Sequence, residues 1–185
     1  MGLLMKIIFL ILLLSTFVFS KTINNSLLKI HANIMPKVLL LEKNIKEKIK
    51  NNTINITIAY EESNYKEMKF LEQSIKREYP NGISGYEIKI EFIDYKTFKE
   101  CNIDTNILYI FPSSKENIKM LIKGYNDCNT ITFASDKEYL KYDAMISIDV
   151  GKKVKPIVNL VAVKKFGIAF KPVLLSISKV FKYEE

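Results

Sequence analysis

Short apolar runs along the chain predict the strands of a buried β-sheet. Residues 106–111 contain the uninterrupted run Ile-Leu-Tyr-Ile-Phe before Pro112, which is typical of a strand buried on both faces. Residues 54–60 and 130–134 predict two further strands. Residues 86–93 alternate apolar with charged side chains, and this alternation predicts a strand in an edge or half-exposed position.

Apolar residues at helical spacing fall between these strands. Residues 27–41 predict an opening helix capped near Asn24, with a kink or break at Pro36. A charged, solvated continuation of this helix is predicted toward Lys50. Residues 68–79 predict a second helix between the first two strands.

The C-terminal part of the chain departs from this alternation of strands and helices. Residues 144–158 predict a β-hairpin that turns at Gly151. Pro156 lies in the second strand of this hairpin and places that strand at a sheet edge, because proline has no N–H to donate. Residues 172–181 predict an amphipathic closing helix with proline in its first turn.

The order of these elements predicts the fold class. A third helix, from Ser114 to Gly124, completes a strand–helix rhythm that is typical of parallel sheets. We therefore predict a single three-layer α/β domain with a mainly parallel sheet. The sheet would have about four parallel strands plus the C-terminal antiparallel hairpin, with helices on both faces. The chain of 185 residues is long enough to bury one such core.

The N-terminus predicts export. Lys6 precedes an apolar run at residues 7–19, and Val18-Phe19-Ser20 supply tolerable cleavage-site positions before Lys21, which is the layout of a secretory signal peptide. The apolar run is shorter than the ~20 residues that span a bilayer, so a membrane anchor is the less favoured interpretation. We predict a signal peptide at residues 1–20 and a single periplasmic domain at residues 21–185.

The net charge of +8 does not indicate nucleic-acid binding. Arg77 is the only arginine, and arginine is the residue best suited to bidentate contacts with phosphate and guanine. The lysines are spread along the sequence, whereas a nucleic-acid footprint forms a patch or stripe. We interpret them as a solvated surface and predict no nucleic-acid partner.

The sequence contains few residues suited to catalysis. His31 is the only histidine, which argues against a catalytic triad or a zinc site, so we expect a packed or surface histidine. Six glycines form neither of the common phosphate-binding loops. We predict no catalytic residues, no metal site and no cofactor.

Polar side chains follow the predicted strands at their carboxyl ends, where open parallel sheets bind ligands. A small-ligand or metal-ion pocket there is one interpretation. Turn formation and helix capping explain each residue without a ligand, and we favour that interpretation. The candidate ligand rim consists of Glu61, Glu62, Ser113, Ser114, Ser135 and Asp136.

The two cysteines predict a disulfide. Cys101 and Cys128 each lie just before a predicted strand, and parallel neighbours are ~4.8 Å apart. The amino ends of those strands would therefore bring the two thiols within bridging distance. An exported protein meets an oxidising compartment, which favours the bridge over two free thiols.

Residues 157–177 resemble the closing signature of the YfiR-like (HmsC-like) periplasmic proteins. The signature has an Asn159-Leu160 pair, a short basic helix ending at Gly167, a small apolar strand, and a helix that begins with Leu174-Leu175. The signal peptide, the opening helix and the cysteine before an apolar strand follow the same order as in that family.

The resemblance implies a periplasmic α/β domain, often a homodimer, without enzymatic activity. It implies that the domain holds the periplasmic part of an inner-membrane diguanylate cyclase or sensor protein. An OmpA-like lipoprotein, or redox and envelope stress, would relieve this restraint and so modulate cyclic-di-GMP signalling and biofilm formation. The disulfide would then be either a redox switch or a structural staple.

Two other functions remain open from the sequence. The polar rim at the strand ends favours a periplasmic small-ligand-binding or sensing domain as the alternative. An exported hydrolase comes third, because the chain offers no nucleophile–base pair.

Overall fold

The computed structural model describes residues 23–183, so the predicted signal peptide at residues 1–20 lies outside the described residues. One seven-stranded sheet forms the centre of the molecule, with the strand order β2-β1-β3-β4-β5-β6-β7. In chain order the strands are β1 (Thr53–Tyr60), β2 (Glu87–Asp94), β3 (Ile107–Ile110), β4 (Ile131–Ala134), β5 (Ile146–Val150), β6 (Val154–Val158) and β7 (Lys179–Val180).

Neighbouring strands are parallel except for the hairpin of β5 and β6. This arrangement confirms the predicted α/β fold with a mainly parallel sheet and a C-terminal antiparallel hairpin. Strand β2 is an edge strand, as its alternating pattern indicated. All four residues of β3 are buried, which agrees with its uninterrupted apolar run.

Six α-helices are present in residues 23–183. They are α1 (Asn25–Leu39), α2 (Ile45–Lys48), α3 (Tyr65–Glu78), α4 (Lys115–Asp127), α5 (Leu160–Lys165) and α6 (Pro172–Ile177). Three short 3-10 helices connect other elements, at Glu62–Asn64, Tyr95–Thr97 and Lys137–Tyr142.

The helices cover both faces of the sheet. Side chains alternate along a strand, so successive residues of β3 enter different cores. Tyr109 packs in the core that contains the apolar residues of α1 and α3. Leu108 and Ile110 pack in a second core with α4. The central strand is therefore buried from both sides, and the domain has three layers.

The opening helix differs from its prediction. Helix α1 is unbroken through Pro36, because this proline lies in the last turn and the N–H of Leu40 still reaches the Pro36 carbonyl at 3.3 Å. The helix ends at Leu39 instead of continuing toward Lys50.

Backbone pairing beyond α1 explains why the helix ends there. The N–H of Lys43 donates to the carbonyl of Ala169 at 2.7 Å, and the N–H of Lys171 donates to the carbonyl of Leu41 at 2.7 Å. Glu42 and Phe170 form an antiparallel bridge between these segments. Tertiary hydrogen bonds therefore replace the helical ones that the local pattern predicted.

Two other predicted helix ends were also wrong. Helix α4 continues past Gly124 to Asp127, so this glycine lies inside the helix. It serves close packing and does not end the helix, because a Cβ there would lie 2.7 Å from the ring of Phe98. The closing helix ends at Ile177, where β7 begins to pair with β6. These errors share one cause, since long-range contacts are invisible to local periodicity.

Pro156 lies one strand in from the predicted position at the edge, because β7 pairs with Ile157 and Val158. The carbonyl of Val158 accepts from the N–H of Phe181 at 2.9 Å, so Val158 points toward the β7 side. Pro156 shares this orientation because strand residues alternate. The position of its missing N–H therefore lies on the side of β6 toward β7, at a point where β7 does not pair with β6.

Candidate functional site

The carboxyl ends of β1 and β3 form the first part of the predicted rim. The Ser113 hydroxyl donates to the Glu61 carboxylate, and Asn117 Nδ2 donates to Ser113 Oγ at 3.0 Å and to Glu61 Oε1 at 3.5 Å. Glu62 is exposed in a 3-10 turn, and Ser114 caps α4 by accepting from the N–H of Asn117 at 3.2 Å. The polar groups here satisfy one another or cap a helix.

The carboxyl end of β4 holds the second part of the rim. Asp136 accepts from the N–H of Glu138 at 3.1 Å and so caps the 3-10 helix Lys137–Tyr142. Ser135 is buried, and within residues 23–183 its hydroxyl has no hydrogen-bond partner. This rim is therefore divided into two groups, one at β1 and β3 and the other at β4.

A cleft of about 310 Å³ opens beside Ser135. It lies between the ends of β4 and β5 and the start of α1, and its walls include Ile23, Leu27, Pro112, Ser135, Asp136 and Asp149. Its volume is at the lower end of the range for small-molecule sites. The Ser135 hydroxyl oxygen is itself buried from solvent beside this cleft.

The disulfide joins Cys101 and Cys128, as predicted, with a Cα–Cα distance of 6.6 Å. Strands β3 and β4 are parallel neighbours with Ile107 opposite Ile131, so the segments before them lie side by side. The bridge links residues 27 positions apart in sequence. It closes the segment that contains β3 and α4.

His31 is a buried link between helix α1 and the central strand. Its Nδ1 lies 2.7 Å from the Tyr109 hydroxyl, and its ring contacts Phe133 edge-on at 5.4 Å between centroids. Burial lowers the pKa of His31 to about 4, so the ring is neutral at physiological pH. This is the packed histidine that the sequence indicated.

The residues of the C-terminal signature have two different environments. Asn159 is fully buried, accepts from the N–H of Ala162 at 3.1 Å and donates to the carbonyl of Leu140 at 2.8 Å. Gly167 ends α5 with φ of +70°, and Leu174 is buried. Leu160 and Leu175, by contrast, are exposed. Asn159, Gly167 and Leu174 therefore stabilise the fold. Leu160 and Leu175 are available on the surface for contacts.

Exposed apolar side chains are concentrated in this part of the described chain. We call the following set the C-terminal apolar surface: Val150, Val154, Leu160, Val161, Val173, Leu175, Ile177 and Val180. Periodicity did not predict this surface, although α5 and α6 carry more apolar residues than one buried face requires. Several exposed apolar side chains in one part of a domain make that part a candidate interaction site.

Residues 23–183 contain neither a membrane-spanning helix nor a metal-binding cluster. Between Ile23 and Tyr183, no helix is long and apolar enough to cross a membrane. The same part of the chain contains no cluster of three or more His, Cys, Asp or Glu side chains arranged to hold a metal ion.

The fold and the C-terminal elements define an α/β domain that ends in an antiparallel hairpin and two short helices. Residues 43–179, well over half of the chain, match the YfiR/HmsC-like family. The chain belongs to this family, which is a family of periplasmic regulatory domains. The match confirms the resemblance that the signature indicated.

Solved structures support the same fold at low sequence identity. A conserved domain protein from Vibrio cholerae O1 biovar El Tor str. N16961 superposes with a TM-score of 0.56 at 15% identity, over 84% of this chain and 60% of that chain. The ABC domain in complex with L-Trp from Streptococcus pneumoniae superposes with a TM-score of 0.51 at 8% identity, over 80% and 62%. The chain thus spans about 60% of the length of these structures. A search of curated proteins found no match.

Proposed function

We propose that this protein is an exported, non-enzymatic regulator that acts by protein–protein contact in the periplasm. It would bind the periplasmic part of an inner-membrane diguanylate cyclase or sensor protein and restrain it, thereby modulating cyclic-di-GMP signalling and biofilm formation. Residues 1–20 would direct export and residues 21–185 would form the regulatory domain. An OmpA-like lipoprotein would compete for the domain, and two copies could pair as a homodimer.

The C-terminal apolar surface carries this proposal. Val161, Val173 and Ile177 are each at least half exposed, at 56%, 52% and 50%, which leaves apolar area that only a partner would remove from water. Five of its eight residues lie in residues 157–177, the stretch by which the chain resembles its family. A few well-packed side chains at the centre of an interface supply most of the binding free energy.

Cellular cyclic-di-GMP tests the proposal. Deleting the gene should raise cyclic-di-GMP, and the wild-type gene should restore the original level. A double variant, Val173→Asp with Ile177→Asp, should reach the periplasm in normal amounts and fail to restore it, because two buried charges would disfavour the contact. Ile103→Asp is the matched control, since Ile103 is 74% exposed and lies outside this surface.

Two outcomes would contradict the proposal. An unchanged cyclic-di-GMP level after deletion, in a cell that contains a paired cyclase, would contradict the regulatory role. A Val173→Asp, Ile177→Asp variant that fully restores the cyclic-di-GMP level would contradict the role of the C-terminal apolar surface. Immunoblots of periplasmic fractions distinguish loss of contact from loss of the protein.

The second candidate function is small-ligand binding at the cleft beside Ser135. The cleft's volume of about 310 Å³ supports it, and one structure of similar fold is a complex with L-Trp. L-tryptophan is therefore the first probe: it should raise the melting temperature of the wild type and have a smaller effect on Asp136→Asn. An unchanged melting temperature at millimolar L-tryptophan would count against this function.

A further inference from the structure

A second cleft, of about 440 Å³, lies on the opposite face of the sheet from α1. Helix α4, the 3-10 helix Lys137–Tyr142, the end of α5 and Tyr183 form its walls. Its volume falls in the range of small-molecule sites. Its lining combines four lysines with three aromatic rings, namely Lys119, Lys123, Lys141, Lys165, Tyr142, Phe166 and Tyr183.

Two of the lysines that line the cleft belong to a row of like charges on α4. Lys115, Lys119 and Lys123 are spaced four residues apart, so they lie on one face of the helix and repel one another. Within residues 23–183 none of these three has a carboxylate within 4 Å, whereas the cleft lysines Lys141 and Lys165 are paired with Glu138 and Asp143, each at 2.7 Å. Asp127, one turn after Lys123, offsets part of the repulsion but forms no ion pair with the row.

Three lysine side chains from two elements of the chain lie around the ring of Tyr142. The Nζ atoms of Lys119, Lys141 and Lys115 lie 5.2, 5.4 and 6.0 Å from the ring centroid. The negative face of an aromatic ring attracts cations at such distances. The ring thus orients the ammonium groups around the cleft and offers an apolar surface beside them.

Asp143 fixes the floor of the cleft. Its carboxylate accepts from Lys165 Nζ at 2.7 Å and from the Tyr183 hydroxyl at 3.1 Å, and its carbonyl accepts from Asn126 Nδ2 at 2.9 Å. Asn126 is 2% exposed, so this network is anchored in the core. Four segments of the chain are held together here, and the cleft is therefore preformed.

From this geometry we propose that the cleft binds a phosphate-bearing ligand with an apolar or aromatic body. Four lysines and two aspartates line it, Glu138 is paired with Lys141 beside it, and Lys115 lies 6.0 Å from the Tyr142 ring, so five lysines and three carboxylates around the cleft leave a net charge of +2. A phosphate monoester carries about −1.5 to −2 at pH 7 and so balances this charge, whereas a single carboxylate does not. The Tyr142 and Phe166 rings would contact the body of the ligand. The site is separate from the C-terminal apolar surface and from the function proposed for it.

The lysines were interpreted from the sequence as a scattered, solvated surface. The fold instead brings Lys119 and Lys123 of α4 together with Lys141 and Lys165, which are distant in sequence. The four-residue spacing on α4 was the only signal of this cluster in the sequence.

Titration calorimetry of the whole mature domain in phosphate-free buffer, with phenyl phosphate as the probe, tests the proposal. Lys119→Gln with Lys123→Gln should weaken binding at least tenfold. The matched control is Lys152→Gln with Lys153→Gln, which removes the same charge from the exposed hairpin turn and should change affinity less than twofold. Benzoate, which has the same ring and one carboxylate, should bind at least tenfold more weakly than phenyl phosphate.

Vesicles distinguish a soluble phosphate from a lipid headgroup. If the phosphate belongs to a lipid, the Lys119→Gln, Lys123→Gln variant should bind phosphatidylglycerol vesicles more weakly than the control variant does, with phosphatidylcholine vesicles as the blank. Weaker binding by this variant alone, to either probe, supports the site and shows whether the phosphate is soluble or part of a lipid. Equal binding by both double variants to both probes, no binding to either, or benzoate binding as tightly as phenyl phosphate would overturn the proposal.

Discussion

Acid should destabilise this protein through its single buried histidine. Burial lowers the pKa of His31 to about 4, and unfolding returns it to roughly 6.5. As the pH falls, the unfolded state therefore binds the proton first. The His31 contribution is complete above about pH 6.5, is lost between about pH 6.5 and 4, and falls no further below that range. Between about pH 7 and pH 4.5 the two pKa values correspond to a loss of about 2 kcal/mol.

Urea unfolding of the wild type and of His31→Gln at these two pH values measures this loss. Glutamine keeps a group that can hydrogen-bond to the Tyr109 hydroxyl, and it does not titrate. Carboxylates with lowered pKa values, such as Glu72 and Glu91, lose their contributions in both proteins. The difference between the two losses therefore isolates His31, and we expect the wild type to lose about 2 kcal/mol more than the variant.

Two results would refute this reasoning. One is an equal loss of unfolding free energy in the wild type and in His31→Gln. The other comes from NMR: because the chain has one histidine, its ring resonances are assigned without ambiguity. A titration midpoint near the ordinary value of about 6.5 would mean that the ring is hydrated in the folded state.

Two further predictions concern the disulfide and Gly124. Replacing Cys101 and Cys128 by alanine should lower the unfolding free energy by about 3.5 kcal/mol, from the chain entropy of a loop with a sequence separation of 27; a wild type whose urea midpoint is insensitive to reductant would contradict this. Gly124→Ala should lower stability by about 1 kcal/mol although alanine favours helix, because the new Cβ would lie 2.7 Å from the Phe98 ring. Adding Phe98→Leu should recover part of that loss, as read from melting temperatures.

The parts of the fold that the sequence predicted are those with a local cause. Strand β3 was recognisable because all its residues are buried and apolar, and α4 because Ser114 caps an amphipathic stretch. Strand β7 has only two residues, which is too short for any periodicity, so residues 172–181 read as one helix. The end of α1 was likewise set by backbone bonds to residues about 130 positions later, such as Lys171 to Leu41.

The candidate sites divide in the same way. The disulfide followed from two cysteines at equivalent positions before neighbouring strands. The rim residues were correctly placed at strand ends, but the direct bond between Glu61 and Ser113 depends on β1 and β3 being adjacent. The lysine cleft draws on α4, α5 and the segment between them, so its assembly depends on the tertiary fold.

Pro156 has a consequence for how this protein avoids polymerising. An unfolded or partly folded chain that reached the β7 end of the sheet could extend it only by pairing with free backbone groups. Strand β7 offers just two residues, and the uncovered part of β6 lacks an N–H at Pro156. Edge-to-edge growth of the sheet is therefore blocked at this end, beside the C-terminal apolar surface. A partner that binds this surface must do so through side-chain contacts, without adding a strand.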